Sequence, residues 1–329
     1  MEVATRFMRL RLRTLAVAIP AVAACHGSTG LADNIGDPIG LIVVAQTVPG
    51  STGIYAIRPD GTDRTNLIFS QEPGLRERVA EASPDGLTIA FERQLTDPGR
   101  GFVHRLYRMD RDGSNVVELR RLQDGRNPAW SPDGSKIAFE SDHHGSLDVW
   151  VMNADGSAAF NISNLPGVEA APDWFPTGTR MAFTTDRDGQ TEIYSMNADG
   201  TNARNLTRSP ANDAYARVSP DGSQIAFHST RNGNLEIYVM RADGSGQKNL
   251  TRNAAEDTHP DWSPDGDWIV FSSDRSGTRE IYAVSVDGLR LTQITTSTFF
   301  SDHPRWGDCP LTVSCAGSPG GPGGGGVAN

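Results

Sequence analysis

The chain has 329 residues, with 40 Asp and Glu against 30 Lys and Arg, and a net charge of −10. That balance argues against a nucleic-acid partner and against adhesion to anionic lipid through charge. No segment beyond the first two dozen residues is apolar enough to span a bilayer.

Arg6, Arg9, Arg11 and Arg13 precede an apolar stretch from Leu15 to Ala24, broken only by Pro20. A basic head, a short apolar run and small residues at its end predict a signal peptide over residues 1–24. Val22-Ala23-Ala24-Cys25 resembles a bacterial lipobox, which implies cleavage before Cys25 and lipidation of that residue. His26 stands where an Asp would imply retention at the inner membrane, so the resemblance favours the outer membrane. Acyl burial alone would then hold the domain to the membrane. Cleavage also removes four Arg and one Glu, which deepens the negative charge. Residues 25–40, rich in Gly, Ser, Asp and Asn, read as a tether.

From Leu41 onward one phrase returns about every 44 residues. Ser-Pro-Asp-Gly turns begin at Ser83, Ser131, Ser219 and Ser263, with Phe175-Pro176-Thr177-Gly178 in the same place. Pro sets the second turn position, Asp suits the third, and Gly accepts the positive φ that follows. Asp-Gly pairs at Asp60, Asp112, Asp155, Asp199, Asp243 and Asp287 mark a second hairpin turn. Between the turns lie short apolar runs such as Ile137-Ala138-Phe139 and Ile237-Tyr238-Val239-Met240, apolar on both faces as strands are inside stacked sheets. Each unit ends on Asn-Leu-Thr or a variant, as at Asn205-Leu206-Thr207. Four-strand units at this period predict propeller blades and an all-β fold.

The first unit, from Leu41-Ile42-Val43-Val44, lacks an inner strand, and Asp302-His303-Pro304-Arg305-Trp306 is an inner strand with nothing after it. Joining them predicts a six-bladed propeller over residues 41–315, closed by the C-terminal strand, with no open sheet edge. Cys309 and Cys315, close together in an exported chain, predict a small disulfide loop. Residues 316–329, mostly Gly with Pro and Ser, predict a disordered tail.

The wording of the repeat (Trp-Ser-Pro-Asp-Gly, Ile-Ala-Phe, Ser-Asp-Arg, Glu-Ile-Tyr, Asn-Ala-Asp-Gly) resembles the WD-like Pro-Asp repeats of TolB-type propellers over residues 41–306. The same repeat occurs in prolyl oligopeptidase relatives and oligogalacturonate lyases. The periplasmic TolB protein carries an α/β domain before its propeller, whereas only a short tether precedes the first blade here.

Inner-strand columns hold the candidate site. Four residues before each turn stand Val79, Asn127, Ala171, Tyr215, His259 and His303; six before stand Glu77, Gly125, Glu169, Asp213, Asp257 and Ser301. Both columns should ring one mouth of the channel. Glu169, Asp213, Tyr215, Asp257, His259, Asp302 and His303 are therefore candidate ligand-binding residues. His and carboxylate groups would also suit a divalent cation. Alternatively, these residues pair with Arg217 and Arg305 or cap loops. Asp186-Arg187-Asp188-Gly189 with Glu192 echoes part of a calcium loop but lacks its spacing, which favours a plain hairpin turn. Exposed turn residues also account for His143-His144, and inter-blade packing accounts for Trp130, Trp174, Trp262 and Trp306.

No Gly-x-Ser-x-Gly elbow, Walker-type loop or His-Glu-x-x-His motif occurs. The expectation is a monomeric, lipid-anchored envelope propeller that binds a protein or peptide, without catalytic residues or a resident cofactor. The alternative is a small-ligand receptor or metal-dependent enzyme at the channel mouth, such as a glycan lyase.

Overall fold

A computed structural model describes residues 40–119, 124–163, 165 and 167–307. The expected signal peptide, Cys25, the tether up to residue 39, Cys309, Cys315 and the Gly-rich tail lie outside these residues. Every regular element among the described residues is a strand, and they form six four-stranded antiparallel sheets. The six-bladed propeller expected from the repeat is the fold observed.

Blade 1 contains β1 (Leu41–Val48), β2 (Ser51–Ile57) and β3 (Thr65–Ser70), with β24 (Phe300–Gly307) as its innermost strand. Blades 2 to 6 follow in chain order as β4–β7 (residues 76–118), β8–β11 (125–161), β12–β15 (169–205), β16–β19 (213–249) and β20–β23 (257–293). Their innermost strands are β4 (Arg76–Ala82), β8 (Gly125–Trp130), β12 (Glu169–Trp174), β16 (Asp213–Val218) and β20 (Asp257–Trp262). The orphan ends meet as the sequence implies. β24 runs antiparallel to β1, with Trp306 opposite Ile42 and Arg305 opposite Val43. β24 also packs on β20 and β4, the inner strands on either side, so the circle is complete.

The blades stack face to face, and the core is a series of inter-blade seams. One joins Ile42, Val44 and Tyr55 of blade 1 to Trp268, Val270 and Ile281 of blade 6. Phe91, Phe139, Phe183, Phe227 and Phe271, one in each of blades 2 to 6, are fully buried. Burial of a side chain of this size contributes roughly 1.5–3 kcal/mol. The Ile-Ala-Phe phrase is therefore apolar throughout because both sheet faces are covered.

The Asn-Leu-Thr endings and their Asn-Ile-Ser variant explain why outer strands shrink to two residues in blades 3 to 5. The Leu or Ile is buried, and the Thr or Ser hydroxyl accepts a backbone N–H from the neighbouring strand. Thr207 serves Ile193 at 3.0 Å, Thr251 serves Ile237 at 3.1 Å and Thr295 serves Ile281 at 2.9 Å. A side chain thus replaces ladder bonds and keeps the outer edge short.

Candidate functional site

Each turn Ser or Phe stands at one end of an innermost strand, and the candidate columns stand at the other. Along a regular strand, residues two apart share a face. Here the ladder from innermost to second strand slips at the third and fourth positions, for example between Ala170 and Asp173 and between Thr258 and Asp261. At the slip Asn127, Ala171, Tyr215, His259 and His303 take left-handed φ values of 46°, 46°, 55°, 52° and 51°. Such a bulge re-aims side chains, and each non-Gly residue held there costs about 1–3 kcal/mol.

The slip divides the expected ring in two. The residues six before the turn face into their own blades. Glu169, Asp213 and Asp257 are fully buried and hold Arg187, Arg231 and Arg275 at 3.1, 2.6 and 2.8 Å. Each guanidinium lies over the Tyr of the third strand, as Arg275 does over Tyr282 at 4.8 Å. Burial pushes the Glu169 carboxyl up to about 7 against the pull of Arg187. Two expectations are corrected here. These carboxylates do not pair with Arg217 or Arg305, and their ion pairs are made with the turn arginines of their own blades, away from the cluster at the mouth. The turn arginines reach them because Glu169, Asp213 and Asp257 stand opposite Thr185, Ser229 and Ser273 at the end of the second strand, two residues before each Arg. Arg187, Arg231 and Arg275 come from the supposed calcium-loop position and its sister copies, so that segment is a turn. His143 occupies the same place in blade 3, where the partner position is Gly125, and packs edge-on against Trp150 at 5.9 Å.

The residues four before the turn converge with Asp302. Tyr215, His259 and His303 come from three successive blades. Tyr215 meets His259 edge-on at 4.5 Å, and the His259 and His303 rings stack at 3.8 Å. Asp302 Oδ1 lies 3.0 Å from His259 Nδ1, and Asp302 Oδ2 lies 3.4 Å from His303 Nδ1. Arg279 Nη1 approaches the same carboxylate at 3.8 Å. His228, from the second strand of blade 5, adds a third imidazole 6.0 Å from His259. Sequence reasoning missed His228. Its signal was a polar residue directly after the Ile-Ala-Phe run, a column that also holds Glu92, Glu140, Thr184 and Ser272.

Burial, then the neighbouring His259, lowers His228 and His303 to about 3, so both are neutral bases at pH 7. Burial works to raise Asp302, but the neighbouring His303 and His259 hold it well below the ordinary carboxylate range. Burial raises the Tyr215 hydroxyl, which stays protonated. The mouth therefore combines three imidazoles, those of His228 and His303 neutral, with one carboxylate and one phenol, and Arg279 beside them. It can accept and donate hydrogen bonds, stack on a planar group or hold a cation.

The opposite end is a cavity of about 310 Å³ rimmed by Pro84, Pro132, Pro176, Pro220 and Pro264. There Glu81, Asp173 and Asp261 accept backbone N–H groups of Trp130, Val218 and Trp306 in the next blade, at 2.9, 2.7 and 2.7 Å. Indole N–H groups of Trp130, Trp174 and Trp262 donate to carbonyls of the preceding blade. These tryptophans are inter-blade clasps, as their repeat position implied.

The family described as TolB beta propeller domain matches residues 51–219 and 212–309. The Tol-Pal system protein TolB of Anaeromyxobacter dehalogenans (strain 2CP-C) is 39% identical over 54 residues, 16% of this chain and 12% of that protein. The Bordetella pertussis protein of the same name is 37% identical over 73 residues, 22% of this chain and 17% of that one. The matched stretches thus span less than a fifth of these relatives. TolB from Acinetobacter baumannii superposes with a TM-score of 0.71 at 20% identity, covering 82% of this chain and 67% of that one. An oligogalacturonate lyase in complex with manganese gives 0.53 at 18% identity, covering 75% of each. At such identities the likenesses concern the fold alone, whereas the family match spans most of the propeller: the chain belongs to the TolB β-propeller domain family.

Proposed function

We propose that this protein is a lipid-anchored cell-envelope platform that receives a protein or peptide at its His-lined mouth. The observation that carries the reading is the convergence of Tyr215, His259, His303 and Asp302 from three blades at one end of the channel. An aromatic arc beside a carboxylate and Arg279 offers stacking and directed hydrogen bonds to an extended segment, on a rigid ring suited to presenting a binding surface. Cys25 supplies the anchor, with the outer membrane favoured by His26. Relatives named as Tol-Pal system proteins support a place among envelope assemblies. The test is affinity capture from envelope extracts with the intact chain and with Tyr215→Ala and His259→Ala. Saturable capture that falls at least tenfold in both variants is expected; capture unchanged by both refutes the mouth as the docking site. Membrane fractionation of Cys25→Ser tests the anchor, which predicts release to the soluble fraction.

A second reading takes the three imidazoles as the head of a small-ligand site for an acidic glycan. It requires turnover of polygalacturonate that is abolished in His259→Ala, and absence of turnover removes it.

A further inference from the structure

We propose that His259, Asp302 and His303 form a binding site for one divalent first-row transition metal, with His228 as a further ligand from the adjoining strand. The inference rests on the platform reading for its use, because it names what the same mouth would hold, but its chemistry stands separately.

His259, Asp302 and His303 each offer a ligand atom, all within 4.8 Å of one another. Bonds of about 2.0–2.2 Å from nitrogen and carboxylate oxygen place tetrahedral neighbours roughly 3.3–3.5 Å apart. The two contacts to Asp302, at 3.0 and 3.4 Å, already sit near that edge length. The two contacts end on different oxygens of Asp302 and the ligand atoms spread over as much as 4.8 Å, so coordination requires the side chains to close in on the ion. The ligands are also preorganised. His259 and His303 belong to innermost strands of neighbouring blades, and Asp302 is adjacent to His303 on β24. All three are mostly buried, so few rotamers are lost on binding.

His228 supplies an independent observation. It is 8% exposed, and its Nδ1 is buried with no hydrogen-bond partner. An unsatisfied buried polar atom is destabilising, a loss that a metal or a ligand bound to one would recover. The donor set selects among metals. Two or three imidazoles with one carboxylate suit zinc, manganese, iron, cobalt or nickel, whereas calcium and magnesium take all-oxygen shells. Arg279 beside Asp302 opposes a second positive charge, so the site favours a metal that also takes an anionic group from outside. Three or four protein ligands leave room for one, and a partner carboxylate at the mouth has the right chemistry.

The test uses the full chain with thiols alkylated and metals stripped by chelation. It is titrated with Co2+, read by visible d–d absorption, and with Zn2+ by calorimetry; Ca2+ is the comparison. One equivalent of Co2+ and of Zn2+ should bind, and Ca2+ should give no saturable heat. His259→Ala and Asp302→Asn should weaken binding at least tenfold, and His228→Ala by roughly tenfold, the scale seen when metal-site groups are removed. The His143→Ala/His144→Ala double variant should bind as the parent does. Folding of each variant is checked by its thermal transition, and His259→Ala, which leaves the closing strand untouched, decides if Asp302→Asn fails to fold. Absence of saturable Co2+ and Zn2+ binding overturns the proposal. So does binding that survives in His259→Ala and disappears in the double variant. Capture of a partner by stripped protein that binds no metal sinks the metal site and spares the platform; metal binding without capture does the reverse.

Discussion

The two ends of the channel are built from the same six strands, yet one repeats a pattern and the other abandons it. At the Pro-rimmed end, carboxylates stand on blades 2, 4 and 6 as Glu81, Asp173 and Asp261, and Ala129, Arg217 and Arg305 alternate with them. Each carboxylate holds a backbone N–H of the next blade, and Arg217 and Arg305 lie 3.5 and 3.6 Å from Asp173 and Glu81. At the His-lined end, successive blades present Val79, Asn127, Ala171, Tyr215, His259 and His303. Repetition marks the positions that ring construction needs. Divergence within a repeated frame marks positions free to serve a ligand.

The largest break in this contrast should come from deleting residues 300–307. Blade 1 would lose its inner strand and the buried Trp306, and the edge of β1 would be bare. Loss of cooperative thermal unfolding is expected, because the packing removed is comparable with a domain's whole stability of about 5–15 kcal/mol. Retention of the parent melting profile would refute closure by β24.

Next in size is Arg275→Ala, which leaves Asp257 buried without its guanidinium. Breaking a buried pair in this way costs about 3–5 kcal/mol, and partial exposure of Arg275 places the expected loss at the lower end. Denaturant melts should show this loss with partner capture at the mouth unchanged. A change in capture without a stability loss would return this column to the site.

At the clasp end, Asp261→Ala should cost roughly 1–3 kcal/mol, because the Trp306 N–H loses its acceptor. The same end carries a pH signature. Burial raises the Asp261 carboxyl to about 8, against the pull of Arg217, and burial raises Glu81 similarly. A folded-state value above the unfolded one means that the folded chain binds more protons between pH 4 and 8. This contribution is present at acid pH and is lost as pH rises toward 8. Calorimetry from pH 5 to pH 8 should show a decline of up to roughly 3–4 kcal/mol from this group, flattened in Asp261→Asn. A steeper decline in the variant contradicts the assignment.

The smallest effect belongs to the His-lined end. Tyr215→Ala should abolish capture yet lower stability by less than the clasp variants, because its ring is only partly buried and its neighbours are polar. A collapse of the fold on this substitution would erase the distinction between the two ends.

Blade count, closure and the Trp positions were legible because each follows from a period, a turn signature or an orphan segment. The His259–His303 pairing was legible too, since the turns align their columns. Orientation was the part that failed. Glu169, Asp213 and Asp257 lie two residues from the mouth positions, and strand alternation puts them on the same face. The bulge breaks that alternation through a left-handed residue, and neither Tyr nor His announces such a φ. His228 escaped because a polar residue in an apolar strand is visible only once the strand's inner end is known to open on the channel.

Asp302 and His303 ride on the strand that completes blade 1, and His259 and His228 wait on blades that are already whole. The two halves of the cluster meet only when the circle is shut. Anything bound across them must therefore favour the latched state by RT ln(1 + [L]/Kd), about 2.7 kcal/mol at a hundredfold excess over Kd. Cargo and latch are thermodynamically one device: prising the eight residues of β24 loose should eject what the mouth holds, and filling the mouth should slow the prising.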